Sequence, residues 1–249
     1  FDPPADGEYR VRIGDARGDG GINFGYRLTV RPPRPSFNVR FSPTGPVVWK
    51  KGAVPITISA DRIDGYDGPI ALRFDKVPPG FTIPKTEIQV GETNTAVALY
   101  ADAKAQSPAK PMPLKLVAEA MIDGQNHVKE AVGETPKVTE VGAIVTFTDE
   151  AEVTIRPGGE AKVQVHIERR GGFAGRVPLD VKGLPHGVRV LDIGLNGILI
   201  TEKETHRTVV LYAEPWVQPR EHPFVVLARQ EGKNSEHAAK SLLLKVSTK

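Results

Sequence analysis

Apolar and polar residues alternate at period two over much of the chain. Ile56, Ile58 and Ala60 alternate with Thr57 and Ser59, Ile70, Leu72 and Phe74 with Ala71 and Arg73, and Leu114, Leu116 and Ala118 with Lys115, Val117 and Glu119. Side chains one residue apart on a strand point to opposite faces, so each run predicts a strand with one face in a core. Turn formers separate these runs about every ten residues, the spacing of an antiparallel sandwich. No segment carries a long helical period, although residues 103–109 can hold a short turn.

The same pattern occurs twice. Gly65-Tyr66-Asp67-Gly68 returns as Gly172-Phe173-Ala174-Gly175, and Pro78-Pro79-Gly80 as Pro185-His186-Gly187, each at a step of 107 residues. Val163, Val165 and Ile167 then stand for Ile56, Ile58 and Ala60, and Val177, Leu179 and Val181 for Ile70, Leu72 and Phe74. From Gly52 to Phe81 the ungapped comparison gives seven identities in 30 positions, Arg62 with Arg169 among them. Tyr100 meets Tyr212 at a step of 112, so the second copy gains five residues, as a surface loop tolerates. A step of this length is a duplicated domain. The two Pro-x-Gly turns have a local cause: proline presets one turn residue and glycine accepts positive φ.

Ahead of the repeats, Tyr9, Val11 and Ile13 alternate with arginines, as do Tyr26, Leu28 and Val30 with Arg27 and Thr29, which predicts two strands joined by a Gly/Asp loop. Arg31-Pro32-Pro33-Arg34-Pro35 reads as a stiff connection. The expected organisation is an N-terminal strand pair over 1–31, a first sandwich over 36–134 and a second over 139–249. The fold class is all-β: tandem immunoglobulin-like antiparallel β-sandwiches with an N-terminal β-hairpin fragment.

Two resemblances accompany these residues. Pro3-Pro4-Ala5-Asp6-Gly7-Glu8-Tyr9, the loop Asp15-Ala16-Arg17-Gly18-Asp19-Gly20-Gly21 and Tyr26-Arg27-Leu28-Thr29-Val30 resemble the C-terminal end of the bacterial pre-peptidase C-terminal domain, an accessory β-sandwich of exported proteins. The Gly-(Tyr/Phe)-x-Gly, strand, Pro-x-Gly order resembles bacterial immunoglobulin-like modules. The first resemblance implies an exported setting, periplasmic, cell-surface or extracellular, and neither implies a catalytic residue.

Composition narrows the chemistry. The net charge of +3 comes without a dense basic run, so neither nucleic acid nor a membrane surface is an expected partner. No apolar run has the length of a membrane span. With no cysteine, disulfides, thiol catalysis and cysteine metal sites are absent together. The chain begins at Phe1 without Met, and the expectation is a piece of a longer parent.

Candidate sites are few. Asp61, Asp64 and Asp67 surround one Gly turn, and Asp15 and Asp19 share the N-terminal loop, so each group is a candidate for calcium, which needs several converging oxygens. The second copy carries Glu168, Gly171 and Ala174 in place of the first three, and a plain turn is the simpler reading. No other cofactor is expected. Arg17-Gly18-Asp19 spells an integrin-type tripeptide, which chance explains in a loop of this composition. The histidines His127, His166, His186, His206, His222 and His237 lack ligand spacing and read as scattered surface residues. Trp216, beside Arg220, replaces Lys104 of the first copy, and Trp49 replaces the equivalent of Arg156; a tryptophan that the duplicated core does not need can stack on a sugar or a protein, or cap its own sandwich.

No Gly-x-Ser-x-Gly elbow, His-Glu-x-x-His, phosphate loop or cysteine nucleophile is present, and no enzyme is expected. The first functional reading is a spacer or protein-contact segment of an exported bacterial protein, meeting neighbouring domains or other surface proteins. Strand addition through residues 1–31 would make it a homo-oligomer. Carbohydrate binding through Trp216 or Trp49 is the second reading, and an accessory part of a secreted hydrolase the third.

Overall fold

Alternation sets which way each strand faces, and the chain uses it to close two cores. The computed structural model describes residues 3–140, 142–191, 193, 197–233 and 235–248, and among them there is no helix. The first copy forms β1 (Ser36–Ser42), β2 (Val47–Trp49), β3 (Gly52–Ile63), β4 (Ile70–Asp75), β5 (Phe81–Thr82), β6 (Thr86–Ile88), β7 (Asn94–Ala101), β8 (Lys115–Ile122), β9 (Gln125–Val132) and β10 (Lys137–Thr139). One antiparallel sheet runs β1-β3-β7-β5, the other β6-β4-β8-β9, and β2 pairs β10 in parallel. Phe37, Ile56, Ile58, Ile70, Leu99, Leu114 and Leu116 fill the space between the sheets.

The second copy repeats the plan with β11 (Ile144–Thr148), β12 (Glu152–Ile155), β13 (Glu160–Arg169), β14 (Val177–Lys182), β15 (Val188–Leu191), β16 (Ile198–Ile200), β17 (His206–Ala213), β18 (Arg220–Ala228), β19 (His237–Ala238) and β20 (Leu242–Val246). Its sheets run β11-β13-β17-β15 and β16-β14-β18-β20, with β12 parallel to β20. From β3 to β8, and from β13 to β18, successive strands alternate between the two sheets of an immunoglobulin-like sandwich. β4 lands on β14 at the step of 107 and β7 on β17 at 112, so the five extra residues fall between β15 and β16. Both Pro-x-Gly glycines take the positive φ expected of them, 80° at Gly80 and 81° at Gly187.

The identical arginine does the same work in both copies. Arg62 on β3 donates to the carbonyls of Gly68, Gln89 and Glu92, at 2.7, 2.7 and 2.8 Å. Arg169 on β13 donates to Gly175, Thr201 and Glu204, at 3.0, 2.6 and 2.6 Å. These are the same three positions shifted by 107 and 112. A planar fork of donors thus ties the turn before β4 to the segment before β7, as a lysine ammonium on a flexible stem would not.

The two sandwiches also share a third apolar cluster. Ala96 and Ala98 of β7, with Ala53 of β3 and the half-buried Tyr100, face outward from the first sandwich onto Val225 and Leu227 of β18 and Ala238 of β19. Ala238 pairs with Ala53, so β19 links a sheet of each copy through one backbone ladder. The Ala98 amide donates to Ser241 Oγ at 2.8 Å, and Lys240 Nζ lies 5.7 Å over the Tyr100 ring. Gly183, at φ 76°, presses against the Ala96 backbone so closely that a Cβ there would collide with its carbonyl. Its first-copy counterpart, Lys76, takes the same positive φ of 53° and carries a full side chain. Residues 34–249 accordingly form one compact unit.

The faces not used in this contact carry charged residues at several of the positions that are apolar in the joint. In the second copy, Ala53, Ala96 and Ala98 are replaced by Glu160, Thr208 and Val210, beside Lys162 and Gln164, around an open hollow of about 760 Å³. In the first copy, the positions of Val225 and Ala238 are Lys115 and Glu130, which form an ion pair of 2.8 Å, and Arg73 bonds Glu119 on the same sheet.

Residues up to Pro33 form a separate unit. The expected hairpin is not there: residues 3–33 contain no strand, and Tyr9, Val11, Ile13, Tyr26, Leu28 and Val30 are all exposed. Two strands alone have no second layer against which to bury a face, and the alternation by itself does not pair them. Asp15 instead accepts hydrogen bonds from the Arg17 and Asp19 amides, closing a local turn.

Replacing either Arg62 or Arg169 by Met should lower the stability of residues 34–249 by about 2–4 kcal/mol in urea unfolding, since three carbonyls lose a charged donor. Arg→Lys should recover less than half of that; full recovery would show that charge rather than the fork matters.

Candidate functional site

Where the two sandwiches diverge from their shared apolar contact, they leave a cleft. Pro69, Glu87, Gln89 and Val90 of the first copy face His186, Trp216, Val217, Gln218 and Arg220 of the second around a cavity of about 370 Å³. A second cavity of about 270 Å³ adjoins it through Glu87, Gln89 and His186 and reaches His222 and Thr95.

Trp216 is placed by the turn that precedes β15. The Gly187 carbonyl accepts the Glu214 amide at 2.9 Å, as Gly80 accepts Asp102 at the same distance in the first copy. Val217 is buried in the core where Ala105 is buried in the first copy. The Trp216 ring lies against Gly187, where a Cβ would strike it, and against His186 at a centroid distance of 5.1 Å. It therefore caps its own turn, yet 54% of it remains exposed in the cleft.

Charged groups of both copies line the cleft beside it. Arg220 Nη1 stands 3.7 Å from Glu87 Oε1, too far for a hydrogen bond, and its enclosed Nε and Nη1 have no acceptor among the described residues. His186 Nδ1 lies 2.7 Å from Glu92 Oε1, a contact that crosses from one sandwich to the other.

Three of the histidines lie along this joint, and the burial of His222 and His237 corrects, for those two, the expectation of scattered surface residues. Besides His186, His222 is 2% exposed with Nε2 3.5 Å from Thr95 Oγ1, and His237 is buried under Trp49 with ring centroids 4.5 Å apart. Burial first, and then the Arg220 guanidinium, pushes His222 down to about 4, against a smaller upward pull from the Gly183 backbone. Burial likewise lowers His237, with a partial offset from the Ile144 backbone. Their positions had no local sequence signature, because the neighbours that bury them come from the other copy.

The remaining candidates are dispersed. Trp49 is half-buried between His237 and Gly142, whose Cβ would overlap its indole, so it fastens the joint and offers no open face of the Trp216 kind. Arg220 and Trp216 do come together in the cleft. Asp61 pairs with Arg40 at 2.6 Å, and Asp64, itself at φ 50°, accepts the Arg34 amide at 2.9 Å. Asp67 is bonded through its carbonyl to the Gly91 amide. Among the described residues no three acids or histidines gather as a metal would require.

The lowered pKa of His222 carries a sign. A base held neutral in the folded state costs stability as pH falls from its ordinary value near 6.5 towards about 4, because only the opened state takes up the proton. Glu87, Glu92 and His186 line the same cavity and Arg220 acts on it as well, so a variant lacking the imidazole isolates its share. Between pH 7.5 and 4.5, the wild type should lose about 2–3 kcal/mol more unfolding free energy than His222→Gln. Parallel pH curves for the two proteins would contradict this.

No family model matches the sequence, and no curated protein does. Solved structures with similarity include the fibronectin(III)-like modules of Clostridium thermocellum CbhA, at 14% identity over 85% of this chain and 94% of that one, with a TM-score of 0.26. The Escherichia coli adhesin FdeC matches at 14% identity over 86% of this chain and 66% of its own, with a TM-score of 0.27. Domains 4–9 of the surface layer protein SbsC match at 11% identity over 86% of this chain and 32% of that one, with a TM-score of 0.34. The assignment of the chain as all-β with immunoglobulin-like sandwiches stands on its own strand pairing.

Proposed function

We propose that the chain is a non-enzymatic structural and protein-contact segment of an exported bacterial protein, in which two sandwiches act as one rigid body. The observation that carries the reading is the shared cluster of Ala53, Ala96, Ala98, Val225, Leu227 and Ala238. Domains joined only by a linker move independently, whereas a buried apolar contact with a backbone ladder across it holds one orientation. Such a body sets a distance and an angle between a neighbouring domain and whatever it meets. The exported setting rests on the resemblance of the N-terminal residues to the pre-peptidase module.

Ala98→Glu places a charge in the joint and leaves both cores untouched. The unmodified chain should melt in one transition and the variant in two, with a larger radius of gyration measured by X-ray scattering. An unchanged single transition with unchanged scattering would remove the basis for a rigid pair.

A second reading concerns residues 3–33, where the exposed alternating apolar residues favour a sheet supplied by another chain. Deleting residues 1–31 should convert oligomers to monomers while the sandwiches melt as before. An identical mass in solution with and without them would exclude strand addition.

A further inference from the structure

The cleft between the sandwiches has a chemistry that the spacer reading does not use. We propose that it is a binding site for a neutral hexopyranose unit of a glycan, completed only when both copies are packed together.

Three features of the cleft match that ligand. Trp216 keeps more than half its surface exposed, with the apolar rings and methyls of Pro69 and Val90 on the facing wall. A pyranose has one face of C–H groups and a rim of hydroxyls, and an indole face pairs with the former. The rim needs donors and acceptors set side by side. Arg220 and Glu87 both line the cleft with part of their side chains exposed, and Glu87 Oε1 stands 3.7 Å from Arg220 Nη1. The gap is too wide for the two to satisfy each other and is suited to adjacent hydroxyls, one accepting from the guanidinium and one donating to the carboxylate.

Charge selects a neutral sugar. Arg220 is opposed by Glu87 at once, and Glu92 stands next door against His186, so an acidic sugar would meet as much repulsion as attraction. The size is adequate: about 370 Å³ with an adjoining 270 Å³ lies at the small end of ligand sites, and the adjoining space runs along the joint, where a second unit of a chain can continue.

The first copy shows that the turn forms without the tryptophan. Lys104 stands in place of Trp216 on the same turn, over the equally well formed Gly80 reversal. Two residues from the second copy and one from the first are therefore assembled at a place that neither sandwich owns.

The test is isothermal titration of the whole chain with cellohexaose, mannohexaose and maltohexaose, with trigalacturonate and a proline-rich peptide as the other arms. At least one neutral oligosaccharide should bind saturably below about 1 mM. Trp216→Ala should weaken it at least about tenfold, and Glu87→Ala, which does not support the Gly187 turn, should weaken it by a similar factor with an unchanged melting temperature. Ala98→Glu should abolish binding if the joint completes the site. No binding of any neutral oligosaccharide, binding indifferent to both cleft variants, or binding of trigalacturonate or the peptide alone would overturn the proposal.

Discussion

Methyl-sized side chains govern how near the two sandwiches come to each other. Ala96 and Ala98 on β7 let its backbone approach the second copy until the Ala98 amide reaches Ser241 and the Ala96 carbonyl fills the place of a Gly183 side chain. A larger residue at any of these positions would push the sheets apart, because close-packed interiors have no free volume to absorb it. Everything between the copies follows from this approach, including the burial of His222 and His237 and the width of the cleft in which Trp216 stands.

Within each sandwich the duplicated arginine is the fixed point. It reaches the backbone of two separate loops, and carbonyls make no demand on the side chains that carry them, which is why Gln89 could become Thr201 around an unchanged geometry. The loops are held by their main chain and remain free to vary outside. The first copy has used that freedom to carry Asp64 and Asp67 where the second has Gly171 and Ala174.

Much of the fold was legible in the alternation, since residues such as Ile56, Ile58, Ile70 and Leu72 sit in the core as their period requires. The same period misled at Tyr9–Ile13 and Tyr26–Val30, because alternation reports a face that is suited to burial and cannot supply the layer that buries it. The joint had a signal that period alone hides. Ala96 to Leu99 and Phe224 to Ala228 are apolar at every position, the mark of a strand covered on both sides. The cleft was half legible: Trp216 stood out by comparison of the copies, with Arg220 beside it, whereas Glu87, His186 and His222 are ordinary residues until the two copies are brought together. Trp49 looked similar to Trp216 in the sequence and differs from it only in what covers it.

A contact between two unlike faces of a repeated unit is heterologous, and nothing in its geometry closes it into a ring. If every copy carried both the alanine face and the Val-Leu face, copies would add end to end without limit and the product would be an open-ended polymer. The charged pair Lys115–Glu130 at one end and Glu160, Lys162 and Thr208 at the other prevent this. Divergence of the duplicated faces has therefore left each half of the contact present once in residues 34–249, so this surface joins the two copies without repeating itself.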